Sequence, residues 1–286
     1  MKNVLIVGKK SYIGVYFAEY AKNDFNIDTV DSFGGAWKSA DFSKYDVVYH
    51  VAGIAHVDAK KDQEELYFKI NRDLAIEVAQ YAKEKSVKQF IFMSSIIVYG
   101  ESKTLEKQVI TADTLPSPNG FYGESKLQAE QGILPLADDS FKVVVVRAPM
   151  IYGNGCKGNY PRLAKLAKKL PFFPYFDNER SMLYIDNLCE FLKLAILNDA
   201  NGIFFPQNKE YTNVPKLVKT IAFANGKKLR LIKGFGLIIK LASKFPGAVN
   251  KVFGSLVYDK GMSNHFDWAY AVKTLEDSVK ETEGNK

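Results

Sequence analysis

The sequence predicts an α/β fold: a doubly wound parallel sheet with helices on both faces, joined to a smaller C-terminal lobe. Three observations carry that prediction. Apolar stretches of strand length alternate with helical patterns. Several of those strands are apolar on both faces, as in a parallel sheet covered on both sides. The first strand also runs into a glycine-containing turn, a helix, a second strand and an acid, which is the order of a dinucleotide-binding βαβ unit of Rossmann type.

The elements follow in chain order. Val4–Val7 forms the first strand, and Gly8-Lys9-Lys10-Ser11-Tyr12-Ile13-Gly14 the turn after it. The pattern is helical from Gly14 to about Ala21. Ile27–Val30 is a second strand ending in Asp31, with Ser32 beside it. Val47–Val51 is a third, closed by Ala52-Gly53. Leu66–Lys85 reads as one long amphipathic helix. Gln89–Met93 is a strand that runs into Ser94-Ser95. A helix carrying Tyr122 continues to about Leu134, and Lys142–Val146 is a nearly all-valine strand. After Arg147-Ala148-Pro149 the texture changes. Glycine and asparagine cluster at 153–155 and 158–159, and a Pro/Phe-rich stretch spans 171–176. Asn187–Leu197 reads as a helix returning to the sheet. The expected division is residues 1–153 plus about 181–206 in a dinucleotide-binding domain, and about 154–180 plus 207–286 in a substrate-binding lobe.

At 286 residues, 47% hydrophobic and 25% charged, the chain has the composition of a soluble globular protein with a full core. No apolar run is long enough to span a bilayer, and the first residues read as a strand, so the cytoplasm is the expected location. Cys156 and Cys189 lack metal-ligand spacing, and His50, His56 and His265 are scattered. No metal site is expected. The net charge of +7 is spread along the chain, which gives no nucleic-acid stripe. Leu229–Val249 intersperses leucine and isoleucine with lysine, as a basic amphipathic helix on a membrane surface does. Gly234, Gly236 and Pro246 interrupt it, and the packed wall of a lobe is the reading they favour.

The chemistry centres on Tyr122-Gly123-Glu124-Ser125-Lys126. A tyrosine and a lysine four residues apart share one helix face. A tyrosine ordinarily keeps its proton to about pH 10. A neighbouring ammonium is expected to lower that value, giving a phenol that exchanges a proton in carbonyl/alcohol redox chemistry. Ser95, at the expected C-terminal end of the fourth strand, can hydrogen-bond a substrate oxygen beside Tyr122. In the first turn Gly8 and Gly14 are in place, and Ser11 stands where a middle glycine would bring backbone against a pyrophosphate. Asp31 can accept bonds from both ribose hydroxyls and favours NAD; Lys9 and Lys10 attract a 2′-phosphate and keep NADP open. Asp41-Phe42 can set a carboxylate and an apolar side chain against adenine. Val51-Ala52-Gly53 offers small residues for a cofactor to cross. Arg180 presents a fork suited to a diphosphate, or to a surface ion pair.

Taken together, Gly8–Gly14, Asp31, His50-Val51-Ala52-Gly53, Asn71, Ser94-Ser95…Val98-Tyr99-Gly100, Tyr122…Lys126, Arg147…Tyr152-Gly153 and Arg180…Tyr184-Ile185-Asp186-Asn187-Leu188 resemble the extended short-chain dehydrogenase/reductase family, in its nucleotide-sugar epimerase/dehydratase branch. The stretch from Gly155 through Asn159 to Leu163, with Phe253–Val257, Asp259 and Asp267-Trp268, resembles a UDP-glucose 4-epimerase-like subgroup. The resemblance implies Tyr122 as acid/base, Lys126 as its partner and nicotinamide-ribose ligand, and Ser95 as hydroxyl anchor. It implies Asn159, Arg180 and Lys251 on the nucleotide, Lys251 standing where an arginine is usual. It further implies NAD, a UDP-sugar substrate and a homodimer. Ile96-Ile97 replace the Asp-Glu pair of the sugar dehydratases, so water elimination is not expected. The expected activity is 4-epimerisation through a transient 4-keto sugar. The alternatives are an NAD(P)H-dependent reductase of a UDP-4-keto-6-deoxy sugar and a non-catalytic NAD(H)-sensing regulator.

Overall fold

The computed structural model describes residues 1–55, 61–101, 105–236, 241 and 253–284. The chain divides into two compact units. Unit 1 comprises Met1–Gly100, Leu115–Ala148 and Leu188–Pro206; unit 2 comprises Glu101–Thr114, Pro149–Asn187 and Gln207–Lys286. Strands and helices are numbered below along the whole chain.

Unit 1 is built on a six-stranded parallel sheet. Its strands are β1 (Asn3–Val7), β2 (Asn26–Val30), β3 (Val47–His50), β4 (Gln89–Ser95), β6 (Lys142–Ala148) and β10 (Gly202–Phe204). They lie in the order β10-β6-β4-β3-β1-β2. The order reverses between β1 and β3, and in such sheets ligands bind outside the carboxyl ends of the strands at that switch point. The apolar runs expected of central strands are buried throughout: Val4–Val7, Val47–Tyr49, Phe90–Met93 and Val143–Val146. On one face, Leu5, Val7, Val48, Phe90, Phe92, Val143 and Val145 pack against Ala75, Val78, Ala79, Ala82, Ala129 and Ile133. Those residues belong to helices α3 (Leu74–Glu84) and α4 (Phe121–Ile133), where alanines let the helix axes come close to the sheet. Burial of each large side chain contributes roughly 1.5–3 kcal/mol. Helix α1 (Tyr12–Tyr20) covers the opposite face, where Phe17 meets Tyr49 edge-on at 5.6 Å.

The helix expected over Leu66–Lys85 is not uniform. It opens as α2 (Glu64–Tyr67), widens into a π-helical turn at Phe68–Asp73 and resumes as α3. A π turn inserts one extra residue and is found most often where function requires it. Here the insertion holds Asn71, which is fully buried.

Among its described residues unit 2 contains three two-stranded parallel pairs: β5 (Lys107–Ile110) with β12 (Ser255–Tyr258), β7 (Met150–Tyr152) with β9 (Met182–Tyr184), and β8 (Phe172–Pro174) with β11 (Arg230–Ile232). Helices α5 (Asn159–Lys169), α7 (Val214–Ala224) and α8 (Leu275–Gly284) accompany them, while α6 (Ile185–Leu197) runs from unit 2 into unit 1. At the centre of unit 2 the Tyr152 ring stacks on Tyr160 at 5.2 Å. The Tyr152 hydroxyl lies 2.6 Å from Ser278 Oγ and accepts from Asn208 Nδ2 at 2.9 Å. Phe266, Asp267 and Trp268 take left-handed φ values of 53, 51 and 61° in succession, each costing about 1–2 kcal/mol for an L-residue. Trp268 stacks on Tyr270, whose buried hydroxyl donates toward Gln207 O and Ser263 O.

Candidate active site

The first turn forms at the carboxyl end of β1. Gly8 and Lys9 both donate their N–H groups to Val30 O, at 2.9 and 3.1 Å, which ties the turn to the end of β2. Gly8 holds φ +129, and a Cβ there would come within 2.9 Å of Ala52 N. A Cβ on Gly14 would sit 2.9 Å from Val51 Cγ1 and 3.1 Å from Ile6 Cγ2. Glycine at these two positions lets the chain approach Ala52 and lets α1 approach the sheet. Ser11 is the N-cap of α1: its hydroxyl accepts from Gly14 N at 3.5 Å, a long bond. Tyr12 and Ile13 open the helix half-buried, and Lys9 and Lys10 are exposed.

Asp31 directly follows β2, where its Oδ1 accepts from Phe33 N at 3.0 Å; Ser32 beside it is half-buried and makes no capping bond. Asp41 is exposed and accepts from Ser43 N at 3.2 Å and Ser43 Oγ at 2.6 Å, and these bonds hold its carboxyl below the usual value. Phe42 departs from expectation. It is fully buried in the core, edge-on to Tyr81 at 4.9 Å and 6.0 Å from Trp37, so it supports this loop from within and presents no face to an adenine. Val51 and Ala52 are buried and Gly53 is exposed. A Cβ on Gly53 would lie 3.0 Å from Asn71 Oδ1 and 3.3 Å from Lys126 Nζ.

Asn71 brings that turn to the tyrosine helix. Its Oδ1 accepts from Ile54 N at 2.8 Å, and its Nδ2 donates to Ile54 O at 3.1 Å and Ser125 Oγ at 3.2 Å. Ser125 Oγ in turn donates to Tyr122 O at 2.9 Å. In the sequence Asn71 is one residue of the family pattern and carries no task of its own; the signal that marks its task is the π turn, which only the structure shows.

Ser95, Tyr122 and Lys126 come together in unit 1. Ser95 caps the 3-10 turn Ile96–Tyr99, accepting from Ile97 N at 3.3 Å, and its hydroxyl is hydrogen-bonded to that of Tyr122. The Tyr122 ring lies edge-on to Tyr67 at 6.0 Å. Lys126 is buried, donates to Met93 O at 2.8 Å and sits 4.6 Å from the centroid of the Phe92 ring. The surroundings of Tyr122 do not give the acidic phenol that its spacing to Lys126 leads one to expect. Desolvation pushes the Tyr122 hydroxyl up to about 12, opposed by its bond with Ser95 and reinforced by Tyr67. The lysine is turned to a carbonyl and is itself brought down to about 8 by burial, against the attraction of Glu130. As it stands, the phenol keeps its proton through the neutral range, and the lysine stays mostly protonated below about pH 8.

A buried ion pair underlies these three residues. Arg147, on β6, donates to both carboxylate oxygens of Glu130, through Nε at 3.2 and 3.1 Å and Nη2 at 2.6 Å. Its Nη1 donates to Tyr99 Oη at 2.7 Å, and Ser94 Oγ donates to Glu130. Glu130 lies one turn beyond Lys126, and Ser94 and Tyr99 flank the Ser95 segment. One pair thus joins β4, β6 and α4. His50, stacked between Phe90 and Phe92, has both ring nitrogens without hydrogen-bond partners, and burial with Lys126 nearby brings it down to about 3.

Asn159 and Arg180 belong to unit 2. Asn159 is the first residue of α5, after Gly158 at φ +96. Arg180 donates from Nε to Gly254 O at 2.9 Å, and desolvation brings its guanidinium down to about 10. Lys251 lies outside the described residues, as does most of the 229–249 stretch. No helix among the described residues is long and apolar enough to cross a membrane.

Residues 4–205 match the NAD dependent epimerase/dehydratase family. The chain is 32% identical over 247 residues to a UDP-glucose 4-epimerase of Vibrio cholerae, covering 82% of this chain and 75% of that protein. It is 26% identical over 249 residues to an N-acetyl-alpha-D-glucosaminyl-diphospho-ditrans,octacis-undecaprenol 4-epimerase of Escherichia coli O157:H7, covering 79% and 73%. Among solved structures, a UDP-glucuronic acid 4-epimerase of Bacillus cereus in complex with NAD superposes with a TM-score of 0.73 at 19% identity, over 99% of this chain and 97% of that one. At that identity the likeness is one of fold.

Proposed function

This chain belongs to the NAD dependent epimerase/dehydratase family, and from that premise we propose that it is a nucleotide-sugar 4-epimerase acting on a UDP-hexose or UDP-N-acetylhexosamine. The observation that carries the reading is the meeting of Ser95, Tyr122 and Lys126 beside Gly53. The glycine turn fits a dinucleotide: side chains at Gly8 and Gly14 would collide with the neighbouring backbone and strand, and Asp31 stands at the end of β2. Gly8 through Gly14, Asp31, Asp41 and Val51 through Gly53 are the residues we assign to NAD. When bound, NAD supplies the acceptor and then the donor of the C4 hydride.

The chain's own residues handle the proton. Ser95 holds the C4 hydroxyl of the sugar beside Tyr122 Oη. In its phenolate form Tyr122 takes that proton as the C4 hydrogen leaves as hydride, and the phenol returns it once the keto sugar has presented its other face. Burial disfavours that phenolate, which therefore needs a counter-charge, and Lys126, protonated below about pH 8, is the cation we assign to it. Such acid–base assistance is worth about 10²–10⁴-fold. In unit 2, Asn159 and Arg180 are assigned to the nucleotide diphosphate, together with Lys251.

The test starts with the protein as purified: mass spectrometry for retained NAD, then incubation with UDP-glucose and with UDP-N-acetylglucosamine. The C4 epimer is expected to accumulate to a fixed ratio with no net change in NADH. A second reading, a one-way reductase of a UDP-4-keto sugar, is favoured by the exposed Lys9-Lys10 and by Ser11 in the middle of the turn. Stoichiometric NAD(P)H consumption with a 4-keto sugar, without epimer from either UDP-sugar, would replace the first reading by the second.

A further inference from the structure

Acidic residues are missing from two long runs of unit 2. From Pro149 to Phe176 there are five Lys and Arg and no Asp or Glu, and from Tyr211 to Tyr258 nine and none. The fold brings these runs together. The first contains α5 and β8, the second α7 and β11; β8 pairs with β11, and α5 and α7 pack on each other. Eleven of the fourteen cations lie at described positions, and ten of those are exposed. The eleventh, Lys168, pairs with Glu283 of α8 at 2.7 Å.

Large apolar side chains stand among these cations. Phe223 is 74% exposed, Phe172 49%, Leu166 and Leu170 39%, and Ile232 38%. Their placement is regular. On α5 the exposed stripe reads Arg162, Lys165, Leu166, Lys169; on α7 it reads Lys216, Lys219, Phe223. In the β8/β11 pair Phe172 stands opposite Arg230 and Pro174 opposite Ile232, so the outer face carries Phe172, Arg230 and Ile232 while Phe173 is buried. Isolated exposed apolar residues are ordinary; several within one basic region mark an interaction surface.

We propose that this α5–β8–β11–α7 face docks on an anionic lipid surface. Cations gather at a negative headgroup layer, and leucine, isoleucine and phenylalanine enter the boundary with the acyl chains. A nucleic acid would satisfy the lysines but offers leucine and isoleucine no apolar compartment. A single small ligand is too short, since the eleven residues of α5 alone run about 16 Å. The inference stands apart from the epimerase reading, because none of the exposed residues named on this face is assigned to the cofactor, the sugar or the nucleotide.

The test is co-flotation of the full chain with vesicles of phosphatidylglycerol in phosphatidylcholine, and with phosphatidylcholine alone. Binding is expected on the anionic vesicles, at least tenfold weaker on neutral ones, and weakened at about 1 M salt, where screening acts within about 3 Å. Lys165→Glu with Lys219→Glu is expected to lower partition at least tenfold. Phe172→Ser with Phe223→Ser is expected to remove the part that survives salt. Lys22→Glu with Lys44→Glu, in unit 1, is expected to leave partition unchanged. Circular dichroism checks that each variant is folded. No binding to anionic vesicles, or binding indifferent to both unit 2 variants, overturns the proposal. So does tighter retention on duplex DNA than on vesicles with the phenylalanine variant unaffected, which would make the face a polyanion site.

Discussion

Unit 1 carries 17 Lys and Arg against 19 Asp and Glu, a net of −2, whereas unit 2 carries 22 against 13, a net of +9. The location of the charge differs as much as its sign. In unit 1 the charges that shape the site lie inside: Lys126, Glu130 and Arg147 are all buried. Each is held by partners it cannot lose without leaving a charge stranded in a medium that penalises it. In the α5–β8–β11–α7 region of unit 2 ten of the eleven described cations are exposed, and the two runs that carry them hold no acid. Interior charge is thereby available to set proton positions at one atom, and exterior charge to recognise a surface. The two should respond oppositely to mutation, salt and pH.

The largest effect is expected at Tyr122. Tyr122→Phe removes one oxygen and the proton it moves, and turnover is expected to fall about 10²–10⁴-fold while retained NAD is unchanged. Rates near wild type would take the acid–base role away from this residue. The same substitution should leave vesicle binding untouched, because interior proton chemistry and exterior docking share no residue.

Next comes the buried pair. Arg147→Ala leaves Glu130 uncompensated beside Ser94 and is expected to cost about 3–5 kcal/mol in urea unfolding. Replacing both partners, Glu130→Gln with Arg147→Met, is expected to recover most of that loss. A single variant as stable as wild type would mean that the carboxylate finds another partner, and the contrast between buried and exposed charge would weaken.

Lys126 gives the pH signature. Its value falls from the usual 10.5 to about 8 on folding. Between those values the unfolded chain holds a proton that the folded chain has released, so this residue's contribution makes stability rise from about pH 8 to about 10.5. Below pH 8 its full penalty applies. Tyr122 acts in the opposite sense, rising from 10.0 to about 12, so stability falls as pH passes from about 10 to about 12. Lys126→Met is expected to raise stability at pH 7 by about 1–3 kcal/mol, since each tenfold loss of proton affinity on folding costs about 1.4 kcal/mol. The same variant is expected to lose the rise above pH 8. An unchanged stability–pH curve in that variant would mean that the lysine is not desolvated.

Much of this arrangement is legible in the sequence because period and position fix it. Val4–Val7 and the valines of Lys142–Val146 are apolar on both faces, and both are central strands. Tyr122 and Lys126 share a face because four residues make one turn. What cannot be read depends on contacts distant in sequence. Phe42 is an ordinary loop aromatic until Trp37 and Tyr81 close over it. The spacing of Tyr122 to Lys126 predicts an acidic phenol, but spacing does not report desolvation or the carbonyl of Met93. The lysines of unit 2 look spread out along the chain; only the pairing of Phe172 with Arg230, 58 residues later, gathers them.

The smallest expected effect sharpens that last point. Lys165→Gln with Lys219→Gln removes two exposed cations of unit 2, neither of which has a carboxylate within its own acid-free run. Exposed charges of this kind contribute little to folding, since water solvates them in both states. The urea midpoint is therefore expected to stay within experimental scatter at low salt, or to rise slightly as repulsion among neighbouring cations is relieved. Any gain should vanish at about 1 M salt, where the interaction range shrinks to about 3 Å. A clear loss of stability would show that these lysines hold unit 2 together by contacts of their own. The patch would then be architecture, and the opposition between an inward-charged and an outward-charged unit would fail where it matters.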